Sequence, residues 1–264
     1  MKALRDWPML TGMRKEVMRQ GFSSCRQYFL LLLTAGILPC AGNPDAKQDR
    51  SGKAPVNSLT ENEKAAGWKL LFNGRTIEGW RRYGSATEKI TGWRIDNGTL
   101  HKPAGVRAGN IMTSESYEDF EFSWEWKLQE RGNNGVKYFI TEERGAAIGH
   151  EYQMIDDVIV KDPYSSNASF YLLVKPVEDK PNKPMGEWNR SRILVRGNHC
   201  EHWLNGKKVL TYECGSPAIM NRVTKTKFRK YPGFGGKISG HILLTDHKDP
   251  CWYRNLKIRK LTKS

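Results

Sequence analysis

Residues 116–128 read SYEDFEFSWEWKL, and within them Phe120, Phe122, Trp124, Trp126 and Leu128 alternate with Glu121, Ser123, Glu125 and Lys127. A period of two held over nine positions belongs to a strand with one face on a core and the other in water. Outward from it, short runs rich in β-branched and aromatic residues recur at 68–72, 92–95, 135–140, 151–155, 168–174, 191–196, 201–204, 207–212, 240–245 and 252–261. Gly, Asn, Pro and Asp punctuate them, as turns between strands require. Thr60 and Glu63 form a capping-box pattern for a short helix ending near Gly67,. No amphipathic helix of ordinary length is read. Many short antiparallel strands over this length predict an all-β sandwich of two sheets.

Asn205-Gly206 in EHWLNGKKVLTY (201–212) is the firmest local signal, because both residues accept the positive φ of a type I′ turn,. A two-residue turn there sets Cys200 opposite Thr211 and away from Cys214. A bridge from Cys251 to either of them stays open.

The chain has 264 residues and a formal net charge of +15. Its Lys and Arg are dispersed and no nucleic-acid motif occurs, so the excess is assigned to solubility or to attraction toward acidic surfaces and glycans. Lys2, Arg5, Arg14, Lys15, Arg19 and Arg26 precede the apolar run YFLLLLTAGIL (28–38), and Ala41 and Gly42 follow. That order predicts a signal peptide over 1–42 and an exported protein, periplasmic or extracellular, with Met13 and Met18 as alternative starts. Cys40 raises lipid anchoring, the one circumstance in which a membrane is a partner, although Ile37-Leu38-Pro39 departs from the small-residue pattern that lipidation favours,. The polar, aperiodic stretch 43–58 reads as a flexible linker, leaving 59–264 as one domain.

Seven segments in order resemble the 3-keto-glycoside lyase/hydratase (3-keto-disaccharide hydrolase) family, formerly DUF1080. They are GWKLLFNGRTIEGW (67–80), SYEDFEFSWEWKL (116–128), RGNNGVKYF (131–139), GHEYQMID (149–156), GEWNRSRILVRG (186–197), HWLNGKKVL (202–210) and GHILLTDHKDPCWYRNLKIRKL (240–261). The resemblance implies a concanavalin A-like jelly roll with the sugar site on a concave sheet face. It also implies a 3-keto-sugar substrate supplied by a sugar 3-oxidoreductase. A base takes the proton at C2, the aglycone leaves C1, and water adds back to the 3-keto-2-hydroxyglucal, so the net reaction is hydrolysis.

Such chemistry needs a base, an acid for the leaving oxygen and an electrophile at the enolate oxygen. In GHEYQMID, alternation sets Glu151 and Gln153 on one face and Tyr152 and Met154 on the other,. With Tyr152 and Met154 inward, Glu151 becomes the candidate acid/base, and Asp156 is close enough along the strand to join it as a catalytic group or metal ligand. His247 fits a general base, Asp246 a metal ligand, and Arg254 a holder of carboxylate or enolate oxygen. Asn133 lies near the ligand by the family's pattern, Lys137 shares the strand face of Gly135 and is placed to reach an oxyanion, and Glu187 and Asn189 are polar contacts beside a packed Trp188. A divalent metal is the expected cofactor, its identity open.

A bland reading stands beside each. Glu151 and Gln153 fit any half-exposed strand, His247 and Asn133 suit turns, and Lys137 suits solvent. No P-loop, dinucleotide fingerprint, G-x-S-x-G or H-E-x-x-H occurs, which removes nucleotide cofactors and serine hydrolases from consideration. The competing function is a non-catalytic carbohydrate-binding module on the same fold. The basic stretch 222–237 reads as an insertion.

Overall fold

The computed structural model describes residues 54–262. The expected signal peptide over 1–42, with Cys40, lies outside the described residues. The fold begins upstream of residue 59. Asn57 is buried, its backbone N–H donates to Asn255 Oδ1 at 2.6 Å, and the Asn255 N–H returns the bond to Asn57 Oδ1 at 2.8 Å. Helix α1 (Glu61–Ala65) follows with both halves of the capping box formed, Thr60 Oγ1 to the Glu63 N–H and the Glu63 carboxylate to the Thr60 N–H.

Thirteen strands then build two antiparallel sheets. The first five are short: β1 (Lys69–Leu70), β2 (Trp80–Arg82), β3 (Arg94–Asp96), β4 (Thr99–Lys102) and β5 (Ile111–Thr113). The long ones are β6 (Phe120–Leu128), β7 (Asn133–Ile140), β8 (His150–Ile155), β9 (Asn189–Arg196), β10 (His199–Leu204) and β11 (Lys207–Glu213). β12 (His241–Leu244) and β13 (Cys251–Lys260) complete them. The larger sheet has eight strands in the order β11-β10-β9-β6-β13-β4-β3, with β1 beside β13. The smaller has five, β2-β5-β12-β7-β8. This is a concanavalin A-like jelly-roll β-sandwich.

β6 lies inside the larger sheet between β9 and β13, and its five apolar side chains are all buried against the smaller sheet's Val136, Tyr138, Tyr152 and Met154. Each such burial stabilises by about 1.5–3 kcal/mol, so the alternation that reveals β6 also drives the two sheets together.

Four expectations are corrected. β2, β4 and β5 are strands too short for their periodicity to show. Residues 168–174 are not a strand but a chain of turns touching β8 through the Tyr152–Phe170 bridge, because Ala168 and Leu172 both take φ of 66°. A helix α2 (Pro217–Thr224), capped by Ser216, buries Ile219 and Val223. The basic stretch 222–237 continues from it and drives Phe228 and Phe234, stacked at 4.2 Å, into the core.

The fourth correction concerns the hairpin. Asn205 and Gly206 adopt φ of 47° and 89° as the turn requires, yet Cys200 pairs with Tyr212 and not Thr211. A bulge between His202 and Trp203 lets Val209 and Leu210 both turn inward,. Cys200 and Cys214 thereby bring their sulfurs within 3.4 Å as free thiols. Cys251 is buried elsewhere, between Leu128 and Lys102 on β6 and β4, so no bridge from it forms.

Candidate functional site

The polar cluster predicted from GHEYQMID forms on the outer face of the smaller sheet. Tyr152 and Met154 are sealed in the core, which turns Glu151 and Gln153 outward from β8. The β7–β8 register sets Lys137 opposite Glu151 and Gly135 opposite Gln153. Lys137 Nζ stands 3.8 Å from Glu151 Oε2 and donates to the Ala147 carbonyl at 3.1 Å. Both side chains of the pair are only about one-sixth exposed. Gly135 leaves the space this needs, since a Cβ there would run into the Glu151 carboxylate. Without a side chain at 135, the carboxylate lies across β7.

Along the same face Gln153 Nε2 donates to Asn133 Oδ1 at 3.0 Å, and the Asn133 N–H donates to Asp249 Oδ2 at 3.1 Å. His247 Nδ1 sits 3.6 Å from that same oxygen, too far for a hydrogen bond, and its ring is 40% exposed,. The 168–174 turns flank β8, with the Tyr171 N–H donating to the Glu151 carbonyl at 3.0 Å. The arrangement offers a carboxylate, an ammonium, two amides and an imidazole on one half-buried face. That set can take a proton, return one and hold a developing oxyanion.

Other predicted residues fall elsewhere. Asp156 caps a 3₁₀ turn, its two oxygens accepting the Arg131 and Val158 N–H groups at 2.8 and 3.2 Å. There it serves as a cap. Asp246 Oδ2 accepts the Gly109 N–H at 2.8 Å and Oδ1 faces the fully buried Lys102 ammonium at 3.4 Å. Asp156 and Asp246 are thus each engaged within the fold, and among the described residues no three His, Cys, Asp or Glu side chains converge as a metal cage.

Arg254 belongs to the opposite side of the sandwich. On β13 it pairs with Glu125 at 2.7 Å and lies over Trp188 at 4.1 Å, on the outer face of the larger sheet. Glu187 is exposed in the turn before β9. Asn189 is buried and holds Asn205 Nδ2 at 2.7 Å, so it pins the hairpin. Trp188, expected to pack, is half-exposed.

A cavity of about 920 Å³ also lies on that opposite face, and neither Glu151 nor His247 lines it. Its carboxylates are spoken for: Glu121 by Arg192 and Arg259, Glu125 by Arg254, Glu63 by Lys257. Locked carboxylates are poor bases, whereas the Glu151–Lys137 pair is loose. Volume and proton chemistry thus point to different faces, and the chemistry decides for the smaller sheet. Asp249 went unnoticed in the sequence, although its place two residues after His247 is a signal.

The profile of the 3-keto-alpha-glucoside-1,2-lyase-like domain matches residues 67–259. The chain belongs to that family. Within the 3-keto-alpha-glucoside-1,2-lyase-like family, a protein of Bacteroides thetaiotaomicron named 3-keto-disaccharide hydrolase is 27% identical over 281 residues, spanning 87% of this chain and 96% of that one. Two solved structures from Parabacteroides distasonis, described provisionally as glycosyl hydrolases, are also similar. One is 31% identical with a TM-score of 0.71, covering 79% of this chain and all of its own. The other is 28% identical with a TM-score of 0.60, covering 74% and 99%. Membership makes this a carbohydrate-active, hydrolase-like protein, with the family match spanning every residue of the Glu151 cluster.

Proposed function

We propose that the protein is an exported enzyme that cleaves 3-keto-glycosides by elimination and hydrates the product, with Glu151 as the base. The observation that carries this reading is the Glu151 carboxylate itself, half-buried, laid over Gly135 and sharing one face with Lys137, Asn133 and Gln153, with His247 linked to Asn133 through Asp249.

A ketone at C3 acidifies the C2 proton, and Glu151 takes it. The electron pair moves into an enolate whose oxygen, on C3, meets the Lys137 ammonium and the amides of Asn133 and Gln153. Collapse of the enolate breaks the C1–O bond, and the His247 imidazolium gives its proton to the leaving oxygen. The products are the 3-keto-2-hydroxyglucal and the freed alcohol. Water adds hydroxyl at C1 and a proton at C2, so the sum is hydrolysis. An oxidoreductase must first convert the C3 hydroxyl to a ketone.

The test is exchange of the C2 proton and release of aglycone from a synthetic 3-keto-glucoside by the wild-type chain and by Glu151→Gln. Turnover lost by at least 10²-fold in the variant, with folding unchanged, supports the reading. Absence of exchange in the wild-type chain, together with binding of the unoxidised glucoside, would instead make this a binding module.

A further inference from the structure

The 920 Å³ groove on the outer face of the larger sheet is formed by β6, β9, β10 and β13, with residues 54–55 and 60–68 at its rim. It presents three half-exposed tryptophans, Trp68, Trp188 and Trp203, which give it apolar, ring-shaped surfaces. Each carries at least one cation: Arg192 lies 3.9 Å from the Trp203 centroid, Arg254 4.1 Å and Lys127 5.4 Å from Trp188, and Arg259 5.2 Å from Trp68. Those guanidiniums are held in turn by Glu121 and Glu125. The result is a fixed lattice of tryptophan, arginine and glutamate.

Charge is left over after this pairing. The lining holds Lys183, Arg190, Arg192, Arg254 and Lys257 against Glu63, Glu121 and Glu125. Every one of the three carboxylates is matched, and among the described residues Lys183 and Arg190 have no carboxylate partner. Lys183 Nζ reaches only the Trp188 carbonyl, at 3.0 Å, and the Arg190 side chain is exposed. Two uncompensated cations beside aromatic faces suit a ligand with both an apolar ring face and a negative charge. A neutral sugar uses the rings and wastes the cations. A small inorganic anion does the reverse.

We infer that this groove is a second carbohydrate site, distinct from the Glu151 face, that holds acidic glycans bearing carboxylate or sulfate. Its volume falls within the range of several-hundred-Å³ ligand clefts and suits a short oligosaccharide. It lies on the opposite side of the sandwich from Glu151, so glycan anchored there leaves the reactive face open. Residues 43–264 carry 37 Lys/Arg against 26 Asp/Glu, a net charge of +11 that draws such polymers toward the exported protein before contact,.

Binding is measured by calorimetry with three hexasaccharides, a sulfated heparin fragment, an oligogalacturonate and neutral cellohexaose, at low and high salt. The wild-type chain is expected to bind one or both anionic probes at least tenfold more tightly than cellohexaose, and to lose them in high salt. Lys183→Ala/Arg190→Ala is expected to lose at least tenfold in that affinity while keeping its thermal midpoint and its turnover of soluble 3-keto-glucoside. Failure of both anionic probes to bind, or binding unchanged in the double variant, overturns the inference. So does loss of soluble turnover in that variant, which would make the groove the reaction site. The binding arm stands without any turnover, so it fails or succeeds independently of the lyase reading.

Discussion

At the scale of single residues, the candidate site depends on what is missing at position 135. The backbone there is ordinary, so an alanine introduces no φ strain. The three atoms nearest its Cβ, the Oε1, Cδ and Cγ of Glu151, all belong to that one flexible side chain. Flexible carboxylate ends move at small cost, and Gly135→Ala is expected to change stability by less than about 1 kcal/mol. The displaced carboxylate no longer lies over β7 beside Lys137, and a shift of this size at a reacting group costs about 10²-fold in rate. The informative result is a divergence, with the unfolding midpoint kept and kcat/KM for a 3-keto-glucoside lost. Equal loss of both would assign Gly135 to packing alone. Nothing in the one-dimensional pattern showed this. Gly135 read as the first position of the 135–140 strand, and its use as room for a neighbour depends on the β7–β8 register.

Elements divide into those written in local chemistry and those decided by packing. The β6 alternation, the Thr60–Glu63 capping box and the Asn205-Gly206 turn were legible because each is set by residues near one another in sequence. An interrupted alternation hides part of the packing. A strict period of two forbids adjacent core residues, yet Tyr138 and Phe139 on β7 are both fully buried, as are Val209 and Leu210 on β11. β7 manages this with φ of 57° at Phe139, and the β10–β11 hairpin with its bulge. Two large apolar neighbours inside an alternating run are the signal for such a kink, and only the opposing sheet tells which way it goes. The glutamates of β6 and the arginines of β9 were likewise visible as polar positions, but their pairing into a groove appears only when the strands lie side by side. At the hairpin tip, Asn205 Oδ1 accepts the Arg190 N–H at 2.8 Å, and Nδ2 donates to the Pro181 carbonyl and Asn189 Oδ1, both at 2.7 Å. Asn205→Ala loses these bonds and sets a Cβ-bearing residue without local compensation at φ of 47°. The two effects together amount to about 2–4 kcal/mol. Asn205→Gly removes the bonds but not the permissive backbone, so urea unfolding should place it between alanine and wild type. Alanine and glycine equally destabilised would leave the hydrogen bonds as the whole effect.

At the scale of the whole molecule, the sandwich is joined across its core by a chain of polar groups whose direction is fixed. His202 Nδ1 faces the Ala168 carbonyl at 2.9 Å, which can only accept, so that nitrogen carries the proton,. Nε2 then accepts from the Tyr138 hydroxyl at 2.8 Å, Tyr138 accepts from Tyr212 at 2.6 Å, and Tyr212 accepts from His150 Nδ1 at 2.7 Å. Protonating His202 makes Nε2 a donor and forces every hydroxyl to reverse. His150 would then have to move its proton to Nε2, a buried atom with no partner. Burial holds His202 down to about 4 and His150 well below the ordinary value. The folded state therefore resists protons that the unfolded chain accepts from about pH 6.5 downward. Their stabilisation is complete above that pH and is lost as pH falls from 6.5 toward 4, by about 3 kcal/mol for His202 alone. The window is separable from two others. Glu63 and Glu201, held low by their partners, lose theirs only below about 4.5,. His199, raised by Glu213, acts in the opposite sense, its contribution fading as pH climbs above 6.5,. The urea midpoint is thus expected to fall steadily between pH 6.5 and 5, before those carboxylates titrate, and His202→Gln should flatten that slope. A midpoint constant from pH 6.5 to 5 in the wild-type chain would mean that the histidines are protonated in the folded core, and the one-way chain across the sheets would have to be abandoned.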